Sequence, residues 1–113
     1  PPAEVPASHA LQALASQVAQ LQAALKMVVY QSERYDGTGP KGLGGDRIPL
    51  AARILSVAAA FHAMTAARAR PRLSRDAALG RLREEAGGRF DPEVVDGLAA
   101  ALAAADSRVH DPA

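Results

Sequence analysis

The chain contains no cysteine and no tryptophan, and only two phenylalanines and two tyrosines in 113 residues. Without thiols it has neither disulfides, thiolate zinc sites nor thiol catalysis. With so few aromatics, its core must be built from Leu, Val, Ile and Ala, which suits close-packed helices better than a sheet. No apolar run reaches the roughly 18 residues that a membrane helix needs. Nor does the N-terminus show the basic stretch and apolar core of a secretory signal. A cytoplasmic protein with no membrane partner is therefore expected. Neither sign of charge is in surplus: 13 basic and 12 acidic residues leave a net +1. That balance argues against a nucleic-acid binder, which carries a marked basic footprint.

What is present is small and alanine-rich. Hydrophobic residues make up 49% of the chain, enough for one small domain. A domain of this size buries only about 65% of its unfolded surface. Part of its stabilisation is therefore expected from a partner chain. Residues 1–8, opening Pro-Pro-Ala-Glu-Val-Pro, read as a linker, residues 9–105 as the helical domain and residues 106–113 as a flexible tail.

Four helices are expected, with no strand. Ser8 can cap the first, a long N-terminal helix reaching about Glu33. Its apolar residues Leu11, Leu14, Val18, Leu21, Leu25 and Val28 form a heptad seam. Flanking alanines and glutamines suit either a core helix of a bundle or a homodimer contact, and the two readings can coexist. A glycine-rich loop follows, from Asp36 to Gly45, with several positions free to take positive φ. A second helix runs from about Leu50 to Arg68, with Pro49 in its first turn and Ile54, Val57, Ala58, Phe61 and Met64 or Thr65 on one face. Ser74 caps a third, Arg75 to about Ala86, closed by Gly87-Gly88. Asp91 caps a fourth, Pro92 to about Ala105, with Phe90 as its staple. The fold class is thus all-α, a small bundle of about four helices. The first helix should pack on the second and fourth, with the loop projecting from one end.

The segment from Tyr30 to Thr65, YQSERYDGTGPKGLGGDRIPLAARILSVAAAFHAMT, carries the most specific signal. It resembles the signature region of the HD-GYP family, the bacterial cyclic di-GMP phosphodiesterases. The family pattern runs HHERYDGTGYP, then G-L-x-G-x-x-I-P-L, then A-R-I-L-x-I-A-D-x-x-D-A-L-T. The match covers about Lys26 to Leu102, the C-terminal half of a typical family domain. Glu33 to Gly39 match closely, and Pro40 follows Gly39 without the family's tyrosine. Gly42, Leu43, Gly45, Ile48, Pro49 and Leu50 fit the turn; Ala52, Arg53, Ile54 and Leu55 fit the next helix. Ala63 and Thr65 fit its end, Arg68 fits an Arg-Pro-Tyr motif, and Gly88, Phe90, Asp91 and Pro92 fit a G-x-x-F-D-P segment.

The family's activity needs two or three metal ions that activate water against a phosphodiester. By the resemblance, the paired metal-binding histidines fall at Gln31 and Ser32, and two aspartates fall at Ala59 and His62. The family's His-Asp pair has no counterpart, and His9 has no Asp beside it. The resemblance therefore implies a helical scaffold with no metal, no cofactor and no enzyme activity.

Other polar residues have plainer readings. His62 could face the former metal pocket, but a lone histidine near an apolar face reads as merely hydrogen-bonded or half exposed. Glu33 and Asp36 resemble a general-acid pair, but Asp36 before Gly37 orders the turn. Arg53 braces the loop through its carbonyls or Asp36. The KGLGGDR loop is no Walker loop, although its amides can form an anion nest. Four arginines, Arg68, Arg70, Arg72 and Arg75, make a basic corner.

The functional expectation is an inactive HD-GYP-like signalling module acting by contact with a signalling partner or by homodimerisation. The alternative is a sensor that binds cyclic di-GMP without hydrolysis, and a residual phosphodiesterase stands behind both. In the family, the Gly-Tyr-Pro loop is associated with diguanylate cyclase domains. Contact residues would be Asp36, Gly39, Pro40, Lys41, Arg53, Arg68, Arg70 and Arg72. The dimer seam would be the six residues from Leu11 to Val28.

Overall fold

The computed structural model describes residues 4–110. It is all-α: α1 (Glu4–Tyr30), α2 (Leu50–Thr65), α3 (Arg75–Glu84) and α4 (Pro92–His110), with a 3-10 turn at Gly45–Arg47. No described helix is long and apolar enough to cross a membrane.

The core lies among α2, α3 and α4. Val57, Leu82, Phe90 and Val95 are its buried centre, and Phe61, Met64, Leu79 and Leu98 pack against it. Phe90 and Val95 flank the start of α4, the expected staple position. Ser74 caps α3 by accepting from the Ala77 N–H at 3.1 Å, a bond that contributes about 1 kcal/mol. Asp91 begins α4: its side chain accepts from the Glu93 N–H at 2.9 Å and its carbonyl from the Val95 N–H.

Several boundaries differ from the sequence reading. The first helix begins at Glu4, inside the expected linker, and ends at Tyr30. Ser8 is therefore no cap, and residues 1–3 lie outside the described residues. Helix α2 stops at Thr65 because Ala66 turns to extended backbone, three residues earlier than expected. Helix α3 ends at Glu84, and Gly87 takes φ +89° in the turn beyond it. Helix α4 continues through Asp106 to His110, over much of the expected tail. The remaining expected tail, residues 111–113, lies outside the described residues.

Two corrections concern packing. Ile54, expected on the inward face of α2, is 49% exposed, while the neglected Ala52 is fully buried. The first helix meets α2 near its own end and does not lie along the α2–α4 pair. Its seam residues are therefore exposed, from 44% at Val18 to 68% at Leu11. The Cα radius of gyration is 19.4 Å, against about 13 Å for a compact chain of this length. The projecting α1 accounts for the difference.

Candidate functional site

The loop between α1 and α2 does not project. It folds back on the turn between α3 and α4. The Tyr35 N–H donates to the Arg89 carbonyl and the Asp36 N–H to the Gly88 carbonyl, at 3.1 and 2.9 Å. On its other side the Gly45 N–H donates to the Tyr35 carbonyl at 2.8 Å. The loop is thus closed on itself, with Asp36 bridged to Gly44, and tied on its other side to the turn at residues 88 and 89.

Glu33 holds the tip. Its side chain is buried, and its carboxylate accepts from the Lys41 N–H at 2.7 Å and 3.1 Å. The Leu43 N–H lies farther off, at 3.5 Å. The glycine at 39 is required here by space: a Cβ would lie 2.5 Å from Glu33 Oε2 and 2.8 Å from the Arg34 nitrogen. Glu33 and Asp36 therefore do not act as a pair. Each carboxylate serves a different part of the loop.

Asp36 orders the turn, as its position before Gly37 suggests. It accepts from the Thr38 hydroxyl at 2.6 Å and the Thr38 N–H at 3.0 Å. These bonds, then the Arg34 guanidinium, hold its carboxyl below the ordinary 3.8. A lowered folded-state value means that the ionised form is the one the turn favours. Its contribution is complete above the unfolded-state value and disappears as pH falls through the folded one. The Thr38 amide signal is expected to stay constant from neutral pH down to that range and to shift below it. In Asp36→Asn that shift should vanish, as an amide-proton NMR titration would reveal.

Arg53 braces the loop exit, but not through Asp36. Its Nε–H donates to the Ile48 carbonyl at 3.0 Å, and its guanidinium donates to Asp91 Oδ2 at 2.7 Å. Asp46 lies at 3.7 Å as a second, fully solvated carboxylate. Sequence reasoning assigned Asp91 to the cap alone and missed its charge partner 38 residues away. The spare oxygen of an N-cap aspartate was the available signal.

The remaining contact candidates separate. Pro40 and Lys41 are exposed at the loop tip, and Gly39 is half-buried against Glu33. The Lys41 ammonium sits over the Tyr30 ring, 5.7 Å from its centroid, with Lys26 at 5.8 Å. Arg68, Arg70 and Arg72 are exposed at a different place, beyond the end of α2. Arg70 donates to the carbonyls of Ala67 and Ala69, and Arg72 to that of Thr65. Arg75 pairs with Asp106 at 2.8 Å. The loop tip and the basic corner are thus two surfaces.

Where the resemblance implies metal ligands, the donors do not fit a metal. Gln31 and Ser32 offer neutral oxygens, Ala59 offers none, and His62 is exposed. Among the described residues no cluster of three or more His, Asp or Glu could hold an ion.

Residues 7–94 match the HD domain family. The chain is 50% identical over 68 residues to the cyclic di-GMP phosphodiesterase response regulator RpfG of Xanthomonas campestris pv. campestris, covering 58% of this chain and 18% of that protein. It is 37% identical over 79 residues to a cyclic di-GMP phosphodiesterase of Vibrio cholerae serotype O1, covering 68% of this chain and 16% of that protein. The chain thus spans less than a fifth of the length of the curated relatives it matches.

These names correct the expectation that the chain is not an enzyme, because they point to a family of enzymes. The expectation rested on counting ligands in a segment that spans less than a fifth of those relatives. From the match over residues 7–94 and the signature shared with these phosphodiesterases, the chain belongs to the HD domain family, in its HD-GYP-like form.

Proposed function

We propose that the chain is a cytoplasmic cyclic di-GMP signalling module whose working surface is the loop from Tyr35 to Gly45, presented to a signalling protein. The supporting observation is the capture of the loop's backbone by Glu33 and by the 88–89 segment, while Thr38, Pro40 and Lys41 remain exposed. A surface fixed before contact loses little conformational entropy on binding. The names of the relatives supply the signalling context, and the resemblance supplies the partner class to test first, a diguanylate cyclase domain. Adding such a domain to isotope-labelled protein should shift amide signals of residues 35–45, and Lys41→Ala should weaken the effect. Unchanged loop signals at high-micromolar partner would reject this reading.

A second reading has its own observation. The exposed guanidinium groups of Arg70 and Arg72 donate to carbonyls and form no carboxylate pair among the described residues. They retain donors for the phosphates of cyclic di-GMP. Calorimetry with the dinucleotide decides it: no heat at high-micromolar ligand, or heat unchanged in Arg70→Ala/Arg72→Ala, removes the sensor.

A further inference from the structure

Helix α1 carries an apolar seam that no other described residue covers. Leu11, Leu14, Val18, Leu21, Leu25 and Val28 recur at spacings of three and four, and each is between 44% and 68% exposed. That spacing keeps one stripe facing a neighbour only when two helices run alongside each other. Yet among the described residues α1 is exposed from Ser8 to Lys26 and is partly covered only near its end, at Met27 and Tyr30. We propose that the neighbour is a second copy of this chain, the two α1 helices pairing along the seam.

Two observations favour this occupant. The first is the flanks. With Leu11 and Leu14 at core positions of the heptad, the flanking positions are Ala10, Ala15, Gln17, Gln22, Ala24 and Val29. None is charged, so identical helices meet without like-charge repulsion and without any charge that selects a different partner. The second is size. Alanine flanks let two backbones approach closely, and six Leu and Val side chains remove on the order of 600 Å² per chain from water. That approaches the roughly 800 Å² per partner of a standard stable interface. Pairing of this kind would give a closed twofold pair rather than an open array. The pairing leaves the loop tip and the basic corner free, and it does not depend on the proposed function.

The test uses the full chain. Sedimentation across the micromolar range should give a dimer, and Leu14→Glu/Leu21→Glu should give a monomer. Its amide spectrum for α2–α4 should be unchanged, because the seam residues are not in that core. Wild-type monomer throughout, or a dimer that survives the double substitution, overturns the proposal. The latter result would direct attention to the apolar groove between α2 and α4, lined by Leu50, Ile54, Val94 and Leu98. The absence of cysteine provides a second readout that does not depend on how the double variant folds. Val18→Cys should form a disulfide with itself in a parallel pair, and with Leu21→Cys in an antiparallel one. Failure of both cross-links also overturns the proposal.

Discussion

Asp91→Ala is expected to destabilise the helical body by about 3–5 kcal/mol, a large share of the stability of a small domain. Asp91 is 4% exposed, and its two oxygens do separate jobs. Oδ1 accepts from the Glu93 N–H at the start of α4, and Oδ2 accepts from Arg53 at 2.7 Å. Truncation removes the cap and leaves a guanidinium that is only 14% exposed with the solvated Asp46, 3.7 Å away, as its remaining carboxylate. Most of the cost comes from that weakly paired charge, because a capping oxygen alone contributes about 1 kcal/mol. Asp91→Asn should regain much of the cap and little of the pair. Urea unfolding of both variants measures the division. A loss of under about 1 kcal/mol in Asp91→Ala would mean that Arg53 finds another partner.

Glu33→Ala should release the loop tip while leaving the core folded. The buried carboxylate is the acceptor for the Lys41 N–H, with Leu43 more distant. Hydrogen bonds to a charged group contribute about 1.5–3 kcal/mol each. Losing the strong one and the weak one should cost about 2–4 kcal/mol of local stability. Amide exchange at Lys41 should then accelerate roughly 30- to 1,000-fold. Gly39→Ala should reproduce this from the opposite side, because its Cβ would displace the carboxylate and press on the Arg34 backbone. Unaltered exchange at Lys41 in both variants would show that the carboxylate does not hold the tip.

The helices were legible because their signals are local. Ser74 capping α3, Phe90 and Asp91 opening α4, and the glycines around 87 each act within a few residues. Boundaries failed where no local signal stands. The expected end at Arg68 does not mark the end of α2, which falls where Ala66 leaves the helix. The seam of α1 was readable as a stripe, but spacing left open whether it faces a bundle core or solvent, and it is exposed. Within the site, Asp36 and the bracing role of Arg53 followed from residue type. The Asp91 partner and the burial of Glu33 did not, because they depend on which distant segment the loop folds against.

The bonds that fix the loop join segments far apart along the chain: residues 35 and 36 to 88 and 89, and Arg53 to Asp91. Such bonds can form only after α3 and α4 have brought their turn into place, since closing a long segment costs entropy that earlier contacts must offset. The loop is therefore a late event in folding. Substitutions there should change the unfolding rate and leave the folding rate nearly unaltered. The surface that meets a partner would then have its own opening clock, one that can be reset by sequence changes without slowing assembly of the helices beneath it.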